Sequence, residues 1–145
     1  MSPIDTSVAA QSGISSSQAW LHALELTAPI SRNRHRILST VIEEVAARMG
    51  DAPALLSDRE TLTYGEVACR ANRYARWALE QGLAKGDVVC LLMTNRPEYF
   101  AVWLGITSVG VVVSLLNTNL AGSSLAHCIR IVSPKRIIAS AEFVN

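Results

Sequence analysis

Residues 86–120 read GDVVCLLMTNRPEYFAVWLGITSVGVVVSLLNTNL. Two apolar runs of strand length, residues 88–93 and 111–116, bracket a segment that opens on Asn95-Arg96-Pro97-Glu98 and closes at Gly110. Pro97 suits the first helical position, where a missing N–H costs nothing, and Glu98 suits the positive end of the helix dipole. The flanking runs do not alternate apolar with polar, as a half-exposed strand would. Apart from Ser114 they are apolar throughout, which is the pattern of strands covered on both faces. The stretch therefore reads as buried strand, helix, buried strand, the unit of a parallel sheet, with a right-handed crossover set by chirality.

Downstream, residues 117–124 read as a loop. Ser123 or Ser124 is expected to cap a helix carrying Leu125, Ala126, Ile129 and Val132, which Pro134 ends. Residues 136–139 form a third short strand, and 142–145 begin a further element. Upstream, Thr63 and Glu66 have capping-box spacing ahead of an apolar stripe of Val67, Ala68, Ala71, Tyr74, Ala75, Ala78 and Leu79. Arg70, Arg73, Arg76 and Glu80 lie off that stripe, and Gly82 closes the helix. Residues 54–57 and 61–64 flank a polar turn and predict a small β-hairpin. Ile37, Leu38, Val41, Ile42, Val45, Ala46 and Met49 recur at helical spacing, with Gly50 expected as a left-handed stop. An earlier helix over about 17–28 has a serine cluster to cap it, Trp20, Leu21 and Leu24 on one face, and Pro29 to stop it. Residues 1–16 are small and polar without a secretory pattern, and read as a flexible arm ahead of one partial domain over 17–145. The fold class is α/β, a Rossmann-like parallel sheet flanked by helices and preceded by helices and a hairpin.

Half of the 145 residues are hydrophobic and the net charge is +1, which allows a sizeable core and offers no basic face for nucleic acid. Cys69, Cys90 and Cys128 are odd in number and widely spaced, which argues against a disulfide framework or zinc site and for a reducing cytoplasm. Each lies in an apolar or helical pattern, so a buried structural role is expected. Residues 99–116 carry no charge and reach the lower length limit of a membrane span. Gly105, Gly110, Thr107 and Ser108 interrupt that run, and a buried helix followed by a buried strand accounts for it.

The sequence contains neither G-x-G-x-x-G nor G-x-x-x-x-G-K-[ST]. The turn Thr94-Asn95-Arg96-Pro97 lacks the glycine that lets a pyrophosphate approach the backbone. There is no G-x-S-x-G elbow, and His22, His35 and His127 have no partners at metal-ligand spacing. No catalytic or metal-binding residue is assigned. Arg32, Arg34, His35 and Arg36 have the charge to meet an anionic membrane or a CoA phosphate, but the run is short and lacks interleaved aromatics, which favours a solvated turn. Ligands of open α/β sheets gather at the carboxyl ends of the strands. Asn95, and Asn117, Thr118 and Asn119, stand at two such ends, where Asn either binds ligand or caps a turn.

The same residues carry a resemblance. Leu62-Thr63-Tyr64-Gly65-Glu66-Val67 resembles the opening motif of adenylate-forming synthetases, and Gly86-Asp87-Val88-Val89 resembles their entry to the first parallel strand. Asn95 to Tyr99, Trp103-Leu104-Gly105, Val109-Gly110-Val111, Leu116 to Leu120 and His127-Cys128 follow in register. This second group looks closer to the fatty acid transport protein and very-long-chain acyl-CoA synthetase branch. The resemblance covers about residues 37–144. It implies an incomplete N-terminal domain of the adenylate-forming fold, from an enzyme that activates a fatty acid with ATP and transfers it to CoA. ATP, Mg²⁺ and CoA are implied for the full-length family, and none is expected to be bound by this piece. The family's phosphate loop, magnesium pair, ribose-binding Asp and catalytic Lys have no counterpart in these residues. The resemblance thus implies an inactive scaffold, cytoplasmic, with membrane association of the full-length protein left open. An open sheet edge implies self-association. An acyl- or nucleotide-binding module and a non-catalytic interaction protein stand as alternatives.

Overall fold

A computed structural model describes residues 15–33 and 35–144. They fall into two compact units, one up to Ile37 and one from Leu38 onward. Most of the arm expected over 1–16 lies outside the described residues. Ser15 and Ser16, assigned to that arm, instead cap and start a helix.

In the first unit, α1 spans Ser16–Thr27. The Gln18 N–H donates to Ser15 Oγ, and Gln18 Oε1 accepts from the Ser15 N–H, a reciprocal cap that satisfies two orphan donors. A 3₁₀ turn, Ile30–Arg32, follows.

The second unit opens with α2 (Leu38–Met49), then the antiparallel hairpin of β1 (Pro53–Leu56) and β2 (Thr61–Thr63). Ser57 organises the hairpin turn: its Oγ accepts from the N–H groups of Arg59 and Glu60 and donates to the Glu60 carbonyl. α3 (Tyr64–Glu80) carries the expected capping box between Thr63 and Glu66. It ends in a Schellman motif: Leu83 N–H bonds the Ala78 carbonyl, Gly82 N–H bonds that of Leu79, and Gly82 takes φ +69. Gly50 does not take the left-handed conformation expected of it. It is small for a different reason: a Cβ there would lie 2.8 Å from the Ala46 carbonyl oxygen, and its own carbonyl accepts from the Gly65 N–H as the chain enters α3.

β3 (Val88–Leu92), α4 (Pro97–Ser108), β4 (Val112–Leu115), α5 (Gly122–Val132) and β5 (Arg136–Ala139) follow as the strand–helix pattern requires. The sheet is parallel, in the order β4-β3-β5, with Cys90 opposite Ser114 on one side and Ile137 on the other. Alternate residues of β3, with Met93 just after it, supply two cores. Val89, Leu91 and Met93 pack with Ala78, Val102 and Ile106 from α3 and α4, while Cys90 and Leu92 pack with Leu125, Cys128, Ile129 and Val132 from α5. Each fully buried Val, Leu or Ile here contributes about 1.5–3 kcal/mol.

Coverage on both faces holds for β3 but not for its neighbours. Val112 and Leu115 on β4 and Ile137 on β5 remain exposed, because each strand is an edge of the sheet among the described residues. Neither Ser123 nor Ser124 caps α5. Gly122 adopts φ +55, closed to most side chains, and turns the chain into the helix earlier, with Ala121 as the cap. Leu79 is exposed rather than part of the α3 stripe, and Cys69 is exposed rather than buried. At about 100° per residue, Cys69 stands on the side of α3 away from both Val67 and Ala71.

Candidate functional site

The chain leaves β3 through α4 to reach β4, then crosses back through α5 to place β5 on the other side of β3. The segments that follow β3 and β5 thus lie at the carboxyl ends of adjacent parallel strands, and a crevice opens there, the end at which α/β sheets receive ligands. The hollow measures about 860 Å³ and is lined by Ser57, Asp58, Arg59 and Glu60 from the hairpin turn, Thr94, Asn95 and Arg96 after β3, and Glu142 after β5. Thr94 Oγ1 donates to Glu142 Oε1 across it at 3.1 Å. The nearby Ser140 hydroxyl, which is buried and meets no partner at full hydrogen-bond geometry, and the backbone N–H of Glu142 itself, helped by Thr94 and the Arg96 charge, hold the Glu142 carboxyl below the ordinary glutamate range. Neither Arg59 nor Arg96 makes an ion pair among the described residues. A neighbouring hollow of about 240 Å³ shares Ser57, Asn95 and Arg96 and adds the apolar Leu55, Leu56, Pro97 and Phe100.

Of the strand-end candidates, Asn95 is placed in both hollows. Asn117, Thr118 and Asn119 are not brought to it. They follow β4, and Asn117 Oδ1 accepts the Asn119 N–H at 2.9 Å while the Asn117 carbonyl accepts the Leu120 N–H. That is an Asx turn, and it occupies the Asn117 side chain.

A second cluster escaped sequence reading. Glu98, in the first turn of α4, accepts from Arg70 Nη1 at 2.6 Å and from the Tyr74 hydroxyl, and Arg70 also reaches Glu60 at 3.4 Å. Arg70, Arg73, Tyr74, Trp77, Glu98 and Ile138 line a hollow of about 450 Å³. Burial works against the Glu98 charge, but the hydrogen bonds from Tyr74 and Arg70 outweigh it and keep the carboxyl low. Burial, then the bond to Glu98, pushes the Tyr74 phenol up to about 12. The Arg70 guanidinium is held more firmly protonated by its bond to Glu98. All three groups are thus locked in their ordinary charge states, which suits clamping two helices and not proton transfer. The one available signal was the i, i+4 pair of Arg70, off the stripe of α3, and Tyr74, within it.

These residues do not fit a nucleotide-phosphate and magnesium clamp. The turn after β3 has no glycine, and the described residues hold no group of three or more His, Cys, Asp or Glu able to take a metal ion. No helix among them is long and apolar enough to cross a membrane.

The profile of a family described as AMP-binding enzyme matches residues 42–145. Human long-chain fatty acid transport protein 6 is 36% identical over 112 residues, covering 74% of this chain and 18% of that protein. The medium/long-chain-fatty-acid–CoA ligase FadD6 of Mycobacterium tuberculosis is 32% identical over 113 residues, covering 78% of this chain and 19% of that one. The chain thus spans under a fifth of the length of these relatives. Among solved structures, the inhibitor-bound N-terminal domain of FACL13 from M. tuberculosis superposes with a TM-score of 0.69 at 27% identity, over 73% of this chain and 27% of that domain. The NpsA N-terminal subdomain of Klebsiella oxytoca, in complex with anthranilyl-AMSN, gives 0.66 at 23% identity over 72% and 27%, a likeness of fold.

Proposed function

The chain belongs to the AMP-binding enzyme family, and we propose that it is part of an AMP-forming fatty-acid:CoA ligase. In that reaction a fatty-acid carboxylate displaces pyrophosphate from ATP to give an acyl-adenylate, and the CoA thiol then displaces AMP. Both steps build negative charge on phosphate oxygens and need preorganised cations and N–H donors around them. The described residues supply no such clamp, and in this reading ATP, Mg²⁺ and CoA are held by other parts of the complete enzyme. The role of residues 17–145 is to form part of its N-terminal domain, as scaffold. Asn95, flanked by Arg59 and Arg96 at the switch-point crevice, is the ligand contact this scaffold offers; Asn117, Thr118 and Asn119 shape the neighbouring turn.

The observation that carries the reading is the family match over the whole parallel-sheet unit. The test is fatty-acid-dependent exchange of pyrophosphate into ATP, run on the 145-residue chain and on the product of the complete gene. Exchange by the complete protein and none by the chain is expected. Exchange by the chain alone would overturn the scaffold role, and a complete protein that activates other carboxylates but no fatty acid would overturn the substrate. The exposed Val112, Leu115 and Ile137 at the sheet edges favour a second reading, an interaction protein that joins partners through its sheet. A chain that forms no complex with itself or with the remainder of such an enzyme speaks against it.

A further inference from the structure

The core between the sheet and the α3–α4 layer is open on one side. Tyr74, Trp77 and Ile138 are half-buried members of that core, and all three line the hollow of about 450 Å³. Ile138 belongs to β5, an edge strand among the described residues, so the hollow stands where the apolar layer runs out beside a free edge. Its charges are unequally matched. Arg70 is shared between Glu98 and Glu60, and the Tyr74 hydroxyl is taken by Glu98. Arg73 is exposed and makes no ion pair among the described residues. The hollow thus joins an apolar floor to an unpaired guanidinium, the side chain best suited to grip a carboxylate with two parallel hydrogen bonds. Aromatic and Arg side chains side by side in a pocket are also the usual anchors of a protein interface. The N-terminal domain of FACL13 is matched over only 27% of its length, so under the scaffold role proposed above most of such a domain comes from other polypeptide. We propose that the hollow seats a segment of that remaining domain, which lays an apolar side chain on Trp77 and Ile138 and pairs a carboxylate with Arg73. The handedness of the fold narrows the choice of segment. A right-handed crossover running outward past β5 would repeat the sense of α5 and lie on the α5 face, whereas the hollow is on the face of α3 and α4. The occupant is therefore a segment other than that crossover.

The test is hydroxyl-radical oxidation of Trp77, read peptide by peptide by mass spectrometry, on the 145-residue chain and on the product of the complete gene. Trp77 is expected to oxidise several-fold more slowly in the complete protein. Arg73→Gln should leave the Tm of the 145-residue chain within about 3 °C, as for an exposed side chain without a partner. In the complete protein it should lower the Tm beyond that margin, because it strands a buried carboxylate, and Arg73→Lys, which keeps the charge, should recover part of the loss. Equal oxidation of Trp77 in the two proteins would overturn the proposal, as would an Arg73→Gln loss no larger in the complete protein than in the chain. Protection of Trp77 that grows with the concentration of the 145-residue chain alone would assign the hollow to a second copy and overturn it too. Protection in a complete protein that activates no fatty acid would refute the ligase reading and support this proposal.

Discussion

Gly105 offers a test in which two physical effects have opposite signs. It lies inside α4, where glycine costs a helix about 1 kcal/mol relative to alanine. On propensity alone, Gly105→Ala should stabilise. The packing says otherwise. A Cβ at this position would overlap the carbonyl oxygen of Ala71 on α3 and lie 2.8 Å from Tyr74 Cβ, well inside the 3.5–4.0 Å optimum between carbons. Both obstacles are backbone or Cβ atoms, which cannot rotate aside, so the two helices would have to separate. Overpacking of this kind costs about 1–3 kcal/mol, and more where backbone must move. Because the obstacles cannot rotate aside, the upper end of that range applies, and about 3 kcal/mol less the ~1 kcal/mol gained in propensity leaves a net loss of roughly 2 kcal/mol. That corresponds to a fall in Tm of about 8–16 °C for a unit of this size. Circular dichroism during heating measures it. Gly82→Ala is the control: it has φ +69 and nothing within 4 Å of the added methyl, so it carries only the conformational cost of about 1–2 kcal/mol. The same separation should pull Tyr74 from Glu98 and return the phenol toward its ordinary value of 10. A Gly105→Ala chain with unchanged or raised Tm would refute the close-crossing argument.

Ultraviolet titration of wild type should show one tyrosine ionising near 12, lost in Tyr74→Phe. Because the folded value lies above the unfolded one, this group's contribution is complete below pH 10 and disappears as pH rises toward 12. Glu98 works the other way: its folded value is depressed, so its contribution is present above the ordinary 4.5 and is lost as pH falls below it. Glu98→Gln should cost about 1 kcal/mol, after allowing for the partial exposure of Arg70 and Glu98, and should flatten that acid limb in denaturant melts at several pH values. A thiol reagent should modify Cys69 in the native chain and reach Cys90 only on unfolding, since Cys90 is fully buried and its thiol pKa is raised by that burial; fast modification of Cys90 in the native chain would contradict the core assignment. Leu115→Lys with Ile137→Lys should shift any self-association seen by sedimentation toward monomer, by placing charges on the two open strand edges.

Much of this fold is written in local patterns. The apolar runs, the capping box at Thr63 and Glu66, Pro97 at a helix start and Gly82 at a helix end each act through neighbours a few residues away, so their signals survive in one dimension. The errors arose where a local signal met a distant group. Gly50 is small because a Cβ there would meet the Ala46 carbonyl oxygen, not because of its own φ, and it is Gly65, at the entry to α3, whose Cβ would press on the Gly50 carbonyl at 3.2 Å. Leu79 lost its place to geometry around the helix, with Ala78 and Trp77 turned to the core instead. At the candidate site, Asn95 was legible because the carboxyl end of a parallel strand is a general address. The side chains around it come from the hairpin turn and from beyond β5, and no spacing rule connects those segments.

By itself the sequence determined the element order, the parallel character of the sheet, the absence of a glycine phosphate loop and the family. These depend on periodicity and short motifs, which chain neighbours enforce. Only the tertiary structure decided that Arg70 and Tyr74 clamp Glu98, residues 28 and 24 positions away, that Gly105 lets α3 and α4 touch at Ala71, and that β4 and β5 each leave an apolar edge uncovered. Those are facts of long-range packing. They are fixed when helices and strands distant in the chain are brought within a few ångströms, and no local pattern encodes which of them will meet.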